Sequence, residues 1–498
     1  MFKKILVANR GEIAIRIFRA CKELEINTAA VYSDVDRVSL HLRYADEAHC
    51  IGGSPASESY LNIEKIITTA KKIGADAIHP GYGFLAENPD FVRRCEEEGI
   101  IFIGPSSEAV RAMGIKTTAR RTMMDAGIPV IPASDEINTL DEALAAARKI
   151  GYPVIIKAIA GGGGKGMRMV RVQEEMEGAL RAVGSESESS FGSPSLYIEK
   201  YMDKARHIEI QILGDKKGNI IHLNERECSV QRRYQKLIEE SPSVIVDERM
   251  RREMGEVAIK AARVAGYYNA GSVEFLVDKN RDFYFLEMNT RLQVEHAVTE
   301  MITGIDIVQE MISVAAGNSL NYSQEDVRIN GAAIECRIYA EDPYNDFLPS
   351  PGVITFLRTS GGFGIRRDSG IYQGVEVTIF YDPLIAKVIS WGRDRDEARI
   401  RMYRALKEYT IRGIKTTIPF HQRVMHHPDF VAGNLDINFI DRKLSLNKAP
   451  AESPLRDIAL ISSAIAAHLK KSKVRPISPE RVSTGSNMWR MAGRRGYL

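Results

Sequence analysis

Every second residue from Glu287 to Glu295 in DFYFLEMNTRLQVEH is polar: Glu287, Asn289, Arg291, Gln293 and Glu295. The other register reads Met288, Thr290, Leu292, Val294 and His296. Side chains two apart share one face of a strand, so an extended segment here lines up carboxylate, amide and guanidinium groups. The adjacent FYFL reads as buried, and buried charge is costly unless it is paired or holds a metal. Glu274, in SVEFL on the preceding strand of a hairpin, can meet Glu287. Two carboxylates and the Asn289 amide oxygen are hard ligands that suit Mg²⁺ held together with substrate phosphates. The alternative is a solvated sheet face.

A second candidate is the glycine run AGGGGKGM, with Gly161, Gly162, Gly163, Gly164 and Gly166 around Lys165. A Walker A loop needs Ser or Thr after Gly-Lys, and Gly166 stands there instead. The run satisfies GxGxxG, but MRMVRV after it alternates like a strand, which excludes a Rossmann turn. Strand, glycine loop, strand makes a flap whose backbone N–H groups can reach phosphates without side-chain obstruction. An exposed hairpin tip is the competing reading. Lys157, on the strand leading in, is either a phosphate contact or a solvated lysine. Lys236, in RRYQKLIEES, is a candidate for stabilising developing negative charge; an ordinary surface lysine is the alternative. Arg337 in IECRIYAED has a salt bridge as its plain reading, and HPGYGF (79–84) ends a strand in a glycine turn.

Several elements must position these groups. KKILVAN, TAAVYS, ADAIHPGYG and IIFIGPS read as strands alternating with amphipathic helices, which predicts a parallel wound α/β sheet over roughly 1–113. TLDEALAAARKIG reads as a helix and PVIIKAIA as a strand, while SESESSFGSPS (185–195) reads as loop. LYIEKYM, HIEIQILGD and GNIIHLNERECS read as antiparallel strands, RREMGEVAIKAARVAG as a helix, and AGSVEFLVDKNRDFYFLEMN as a hairpin turning at DKNRD. A β-rich segment follows to about residue 445.

The composition of this 498-residue chain, 44% hydrophobic and 27% charged, is globular. A net charge of +3 gives no reason to expect nucleic acid. Five cysteines without a CxxC pair exclude a zinc or disulfide framework and point to a reducing, cytoplasmic setting. The first residues make a poor signal peptide, and IALISSAIAA falls short of the about 20 residues a membrane span needs. Residues 446–498 carry ten Lys/Arg against three Asp/Glu, or +7, leaving −4 for the rest.

KILVANRGEIAIRIFRAC, IHPGYGFLAEN, GGGGKGMR, NERECSVQRR, EMNTRLQVEH and FLPSPG, in that order, resemble biotin carboxylase of the ATP-grasp superfamily over almost all of 1–445. The resemblance implies an α/β, ATP-grasp fold. A Rossmann-like N-terminal domain is expected over 1–113, an ATP-grasp domain over 114–330 with a mobile lid at about 131–203, and a β-rich C-terminal domain over 331–445. It implies that MgATP (or Mn²⁺) and bicarbonate form carboxyphosphate, whose CO₂ passes to biotin on a carrier protein. On the matching positions, Lys116, Lys157, Met167, Glu199, Lys200, His207, Gln231 and Ile437 contact ATP, with the glycines over its phosphates. Glu274, Glu287 and Asn289 hold the metal; Arg291, Gln293 and Val294 grip bicarbonate, and Glu295 is the base. Lys236 steadies carboxyphosphate, Arg337 the biotin enolate, and Tyr82 lies near the biotin ring. Tyr234 departs from the family, where histidine is common.

No Met-Lys-Met carrier motif occurs, so the resemblance implies a separate carrier protein or domain and a separate carboxyltransferase subunit, with a homodimer also expected. The final acceptor (acetyl-CoA, propionyl-CoA, pyruvate or 2-oxoglutarate) is left open. In the tail, Leu455, Ile458, Ile461, Ile465 and Leu469 form a helical stripe after a candidate N-cap, Ser453, which reads as a docking helix or as a disordered extension. Another ATP-grasp ligase, carboxylate–amine or carbamoyl-phosphate-forming, and a catalytically silent ATP-binding scaffold are the competing functions.

Overall fold

The structure, a computed structural model, describes residues 1–159, 166–444 and 456–472. The chain divides into two units, Met1–Ser445 and Leu446–Leu498. The first unit begins with the expected parallel sheet, in the order Glu47–Gly52, Asn27–Ser33, Lys4–Val7, Ala77–His79, Ile101–Phe102. Its edge strand, EAHCIG, is not legible as a strand in the sequence: its residues are mostly half-exposed or exposed, so no apolar run marks it. Helix α1 (Gly11–Glu23) packs Ile13, Ile17 and Phe18 under the sheet and buries Glu12 and Arg16 as well.

Eight antiparallel strands form the central sheet, in the order Phe283–Asn289, Asn269–Val277, Arg206–Gly214, Ile220–Arg232, Gln235–Ser241, Ala332–Tyr339, Leu384–Gly392, Ile365–Ser369. The boundary expected at 330/331 therefore falls between strands of one continuous sheet. The hairpin turning at DKNRD forms as expected, with Val277 opposite Phe283. Beyond Gly392 the segment expected to be β-rich turns largely helical, with Arg395–Glu408 and Ile418–Met425.

A separate four-stranded sheet, ordered Ala133–Ile137, Leu196–Lys200, Val154–Ala158, Met167–Val170, packs against helices Leu140–Ile150 and Met176–Phe191. The second helix corrects the loop expected from residue 185. It runs through SESESSF to a left-handed Gly192, because burial of Met176, Ala179 and Val183 outweighs the indifferent helix propensity of serine. Strand Met167–Val170 pairs antiparallel with Val154–Ala158, as the flap reading requires. Gly161, Gly162, Gly163 and Gly164 lie outside the described residues. In the second unit, Arg456–Ser472 is helical, with Ile458, Ile461, Ile465 and Leu469 all more than half exposed. Ser453 and Leu455 lie outside the described residues.

The extended reading of 287–295 holds only at its start. The strand ends at Asn289, and helix α2 (His296–Thr303) begins directly after Glu295. Arg291 and Gln293 thus sit on a connection and Glu295 at a helix N-cap. Glu300, buried in α2, is bonded by Arg16 of α1 at 2.9 Å and by Arg366 of the sheet at 2.6 Å, and it accepts from the Ile307 backbone N–H at 2.9 Å. Burial alone raises its pKa, but Arg16 and Arg366 outweigh that and hold it at about 2. A depressed carboxylate stabilises the fold above its ordinary pKa, and that stability is lost as pH falls through the depressed value. Glu300→Gln is expected to cost about 3–5 kcal/mol at neutral pH. In urea melts across pH, the deficit should hold above pH 4.5 and shrink as pH falls toward about 2.

Candidate active site

Strand register lines up Arg226, Glu209, Glu274 and Glu287 across four neighbouring strands. Directly opposed residues share a face, so one row carries a guanidinium and three carboxylates. Lys236, on the strand beyond Ile220–Arg232, reaches back over that face. Its Nζ donates to Glu209 at 2.9 Å, Glu274 at 2.8 Å and Glu295 at 2.6 Å. Burial disfavours its charge, yet the three carboxylates raise its pKa well above the usual lysine value.

Glu295 is fully buried. It accepts from Lys236 on one oxygen and from Arg337 on the other, at 2.9 Å. Burial pushes its pKa up, but Lys236, Arg337 and Arg226 pull it well below the usual carboxylate range, so it is ionised at neutral pH. Arg337 also donates to Glu239 at 2.5 Å. Arg291 donates to Glu87 at 2.8 Å, to Gln293 at 2.9 Å and to Asn289 at 3.3 Å, and Gln293 donates to Ser272 at 2.7 Å. Arg291 and Gln293 are thereby fixed relative to each other, and Glu295 relative to Lys236 and Arg337.

These groups face one cleft of about 980 Å³. Lys236, Glu274, Glu287, Asn289, Arg291, Gln293, Val294, Glu295 and Arg337 line it, as do Lys116, Lys157, Met167, Glu199, Lys200, His207, Gln231 and Ile437, with Ile155, Leu276 and Leu286 as apolar lining. Lys157 is bonded to Glu199, Lys116 lies 3.4 Å from Glu287, and His207 Nε2 lies 2.8 Å from Glu274. The Lys200 ammonium is turned away to the carbonyls of Gly151 and Tyr152, at 2.8 and 3.1 Å. Gly166, with φ +67°, closes the flap hairpin by accepting from the Ala158 N–H, and does not line the cleft. Tyr82 is also set back: its neighbour Gly83 lines the cleft, while its ring packs against the core around α1.

Sequence reading misses Glu209, Arg226, Glu239 and Glu87. The first has a signal, since His207, Glu209 and Gln211 alternate in HIEIQ just as the 287–295 set does. Arg226, Glu239 and Glu87 acquire roles only through pairing across strands and loops.

The donor set fits Mg²⁺. Glu274 and Glu287 are cross-strand partners beside Asn289, and a carboxylate's lone pairs exceed the contacts Glu274 already makes with Lys236, His207 and Asn289. The ligating atoms of His207, Glu209 and Glu274 also lie close enough for a metal, but the Lys236 ammonium already bridges Glu209 and Glu274.

Three family models match the chain: "Biotin carboxylase, N-terminal domain" over residues 1–110, "Carbamoyl-phosphate synthase L chain, ATP binding domain" over 116–323, and "Biotin carboxylase C-terminal domain" over 335–442. The chain is 54% identical over 443 residues to Biotin carboxylase 1 of Bacillus subtilis, covering 89% of this chain and 98% of that one. It is 52% identical over 440 residues to a biotin carboxylase of Nostoc sp., covering 88% and 98%. Among solved structures, the biotin carboxylase–β,γ-ATP complex from Campylobacter jejuni superposes with a TM-score of 0.87 at 51% identity, covering 89% and 99%. The biotin carboxylase domain dimer of Hydrogenobacter thermophilus 2-oxoglutarate carboxylase, with MgADP, ADP and bicarbonate, gives 0.88 at 49% identity, covering 90% and 99%.

Removing the Lys236 ammonium takes one counter-ion from each of three buried carboxylates, leaving Glu295 with Arg337, Glu209 with Arg226 and Glu274 with His207 alone. Lys236→Met is expected to cost about 3–5 kcal/mol at neutral pH. Because the depressed Glu274 and Glu295 contribute their full stability only above their ordinary pKa of 4.5 and lose it progressively toward their depressed values, the deficit should narrow as pH falls below 4.5. Thermal midpoints of parent and variant, followed from about pH 8 to about pH 4, check this.

Proposed function

The chain belongs to the biotin carboxylase family, and from that premise we infer how its side chains divide the carboxylation of biotin by ATP and bicarbonate. ATP occupies the cleft against its apolar lining, with Ile437, Met167 and Leu276 around the base and Lys116 and Lys157 on the phosphates. The flap between Ala158 and Gly166 covers the phosphates and excludes water from carboxyphosphate, which hydrolyses readily. Glu274, Glu287 and Asn289 hold Mg²⁺ (or Mn²⁺), which neutralises phosphate charge when bound. Arg291, Gln293 and the Val294 backbone hold bicarbonate beside Glu295.

Bicarbonate is a poor nucleophile until it loses its proton, and Glu295, ionised and placed next to Arg291, takes it. Bicarbonate then attacks the γ-phosphate and ADP leaves, with Lys236 steadying the carboxyphosphate. Carboxyphosphate breaks into CO₂ and phosphate, the phosphate takes the N1 proton of biotin, and Arg337 stabilises the enolate that captures the CO₂. The observation that carries this reading is the collection of nucleotide-end lysines, paired metal carboxylates and the Lys236–Glu295–Arg337 triad in one cleft. The carbamoyl-phosphate-forming alternative rests on the shared ATP-grasp segment alone, whereas both flanking segments match biotin carboxylase models. A silent scaffold has no need of a complete set of charged groups.

We assign the carrier bearing biotin and the carboxyltransferase to other chains, with pairing into a homodimer like the Hydrogenobacter thermophilus domain dimer. A reducing cytoplasm suits its unpaired cysteines. The domain limits proposed are 1–113, 114–330 and 331–445, with the 446–498 tail serving assembly. The carrier must leave the cleft in each cycle, so a lasting contact through the tail suits the carboxyltransferase.

Glu295→Gln is expected to lower biotin-stimulated ATP turnover at least about 100-fold while leaving the ATP dissociation constant within about two-fold. Coupled ADP release with and without free biotin, together with calorimetric ATP titration, reads both; a variant that still turns over removes Glu295 as the base. Deleting 446–498 should abolish co-purification with the carboxyltransferase, and unchanged assembly refutes the tail's role.

A further inference from the structure

Lys387 is a fully buried lysine set behind the cleft, which it does not line. It lies on strand Leu384–Gly392, in register with Arg337 on one side and Asp368 on the other. Its Nζ donates to the backbone carbonyl of Val294 at 2.6 Å, across 93 residues of sequence. It also lies 3.4 Å from Glu12 of α1 and 5.7 Å from the centre of the Tyr82 ring.

The Val294 carbonyl belongs to the connection between strand Phe283–Asn289 and α2, which lies outside the sheet's ladder. Its shape comes from side-chain tethers: Gln293 to Ser272, the His296 ring to the Gln293 carbonyl at 2.8 Å, and Lys387 to Val294. The peptide that Lys387 holds stands immediately before the base and immediately after Gln293. A charge-assisted bond to a carbonyl is strong and directional. We propose that Lys387 is a positioning residue for the bicarbonate pocket, orienting the Val294 peptide from outside the cleft while Glu12 of the N-terminal sheet's helix holds its ammonium in place.

This rests on the reading that Arg291, Gln293 and Val294 hold bicarbonate, so the experiment includes Arg291→Ala. Steady-state kinetics in bicarbonate and in MgATP are compared for the parent, Lys387→Met, and the double variant Glu12→Gln/Lys387→Met. The double variant removes both members of the buried pair and leaves little unpaired charge: Asp368 keeps Arg366 at 2.9 Å, and burial holds the Glu335 carboxyl well above its ordinary pKa. It therefore folds even where the single variant does not.

Loss of a charged hydrogen bond predicts a KM for bicarbonate raised about 10-fold or more in both variants, with the KM for MgATP within about two-fold. A merely structural role moves both constants together or neither, and overturns the proposal. Return of the bicarbonate KM to the parent value in the double variant also overturns it, since Lys387 then only neutralises Glu12. If Arg291→Ala leaves the bicarbonate KM unchanged, the bicarbonate assignment itself fails, and Lys387 with it. If Arg291→Ala raises it and the Lys387 variants do not, the Lys387 inference fails alone.

Discussion

One ammonium among three carboxylates organises this active site. Glu209, Glu274 and Glu295 come from two strands and a helix start, and none of them is exposed enough for water to solvate its charge. Isolated buried carboxylates take up protons rather than stay charged. Lys236 keeps at least two of them ionised, with Glu274 and Glu295 both depressed well below 4.5. The carboxylate proposed to hold the metal, Glu274, and the proposed base, Glu295, thus share a counter-ion, and a change in the charge of one is felt by the other.

That sharing requires a sheet that does not stop at a domain boundary. Glu274 and Glu209 stand on strands of the ATP-grasp half, Arg337 on the strand that opens the later half, and Lys236 on the strand between them. A hinge between these strands would let the Lys236–Glu295–Arg337 triad open. The eight-stranded sheet instead ties them in one ladder, while strands Val154–Ala158 and Met167–Val170, which flank the glycine run, belong to a sheet of their own. The buried charge sits on the continuous sheet, and the proposed flap on a separate layer.

Much of this is legible in the sequence, for physical reasons that differ between elements. The parallel N-terminal strands are apolar runs with helical patterns between them, so periodicity locates them, whereas the half-exposed edge strand Glu47–Gly52 has no such mark. Two-residue alternation places Glu287 and Asn289 on one strand but overruns the strand at Thr290. There, the same spacing of polar residues serves a connection and a helix N-cap. Arg291, Gln293 and Glu295 still reach one cleft because tethers, not a ladder, fold the connection back. The serine-rich stretch from 185 reads wrongly as loop because its helix depends on packing against the lid sheet, a tertiary effect absent from local composition. Arg226, Glu239 and Glu87 are invisible because a salt bridge between distant strands leaves no local pattern.

A base with so depressed a pKa is a weak one, which creates an apparent conflict with its work. Glu295 faces both Lys236 and Arg337, and those cations are the source of its low proton affinity. The same two cations are the groups assigned to carboxyphosphate and to the biotin enolate. Where each engages a substrate anion as proposed, part of its charge is drawn from Glu295, and the proton affinity of the carboxylate rises. Under the same assignment Arg291 lowers the cost of deprotonating bicarbonate. The proposed base then strengthens as the substrates take their places. The energetic cost of holding a charged carboxylate in the sheet's interior is met by the same cations to which the proposed reaction gives later roles.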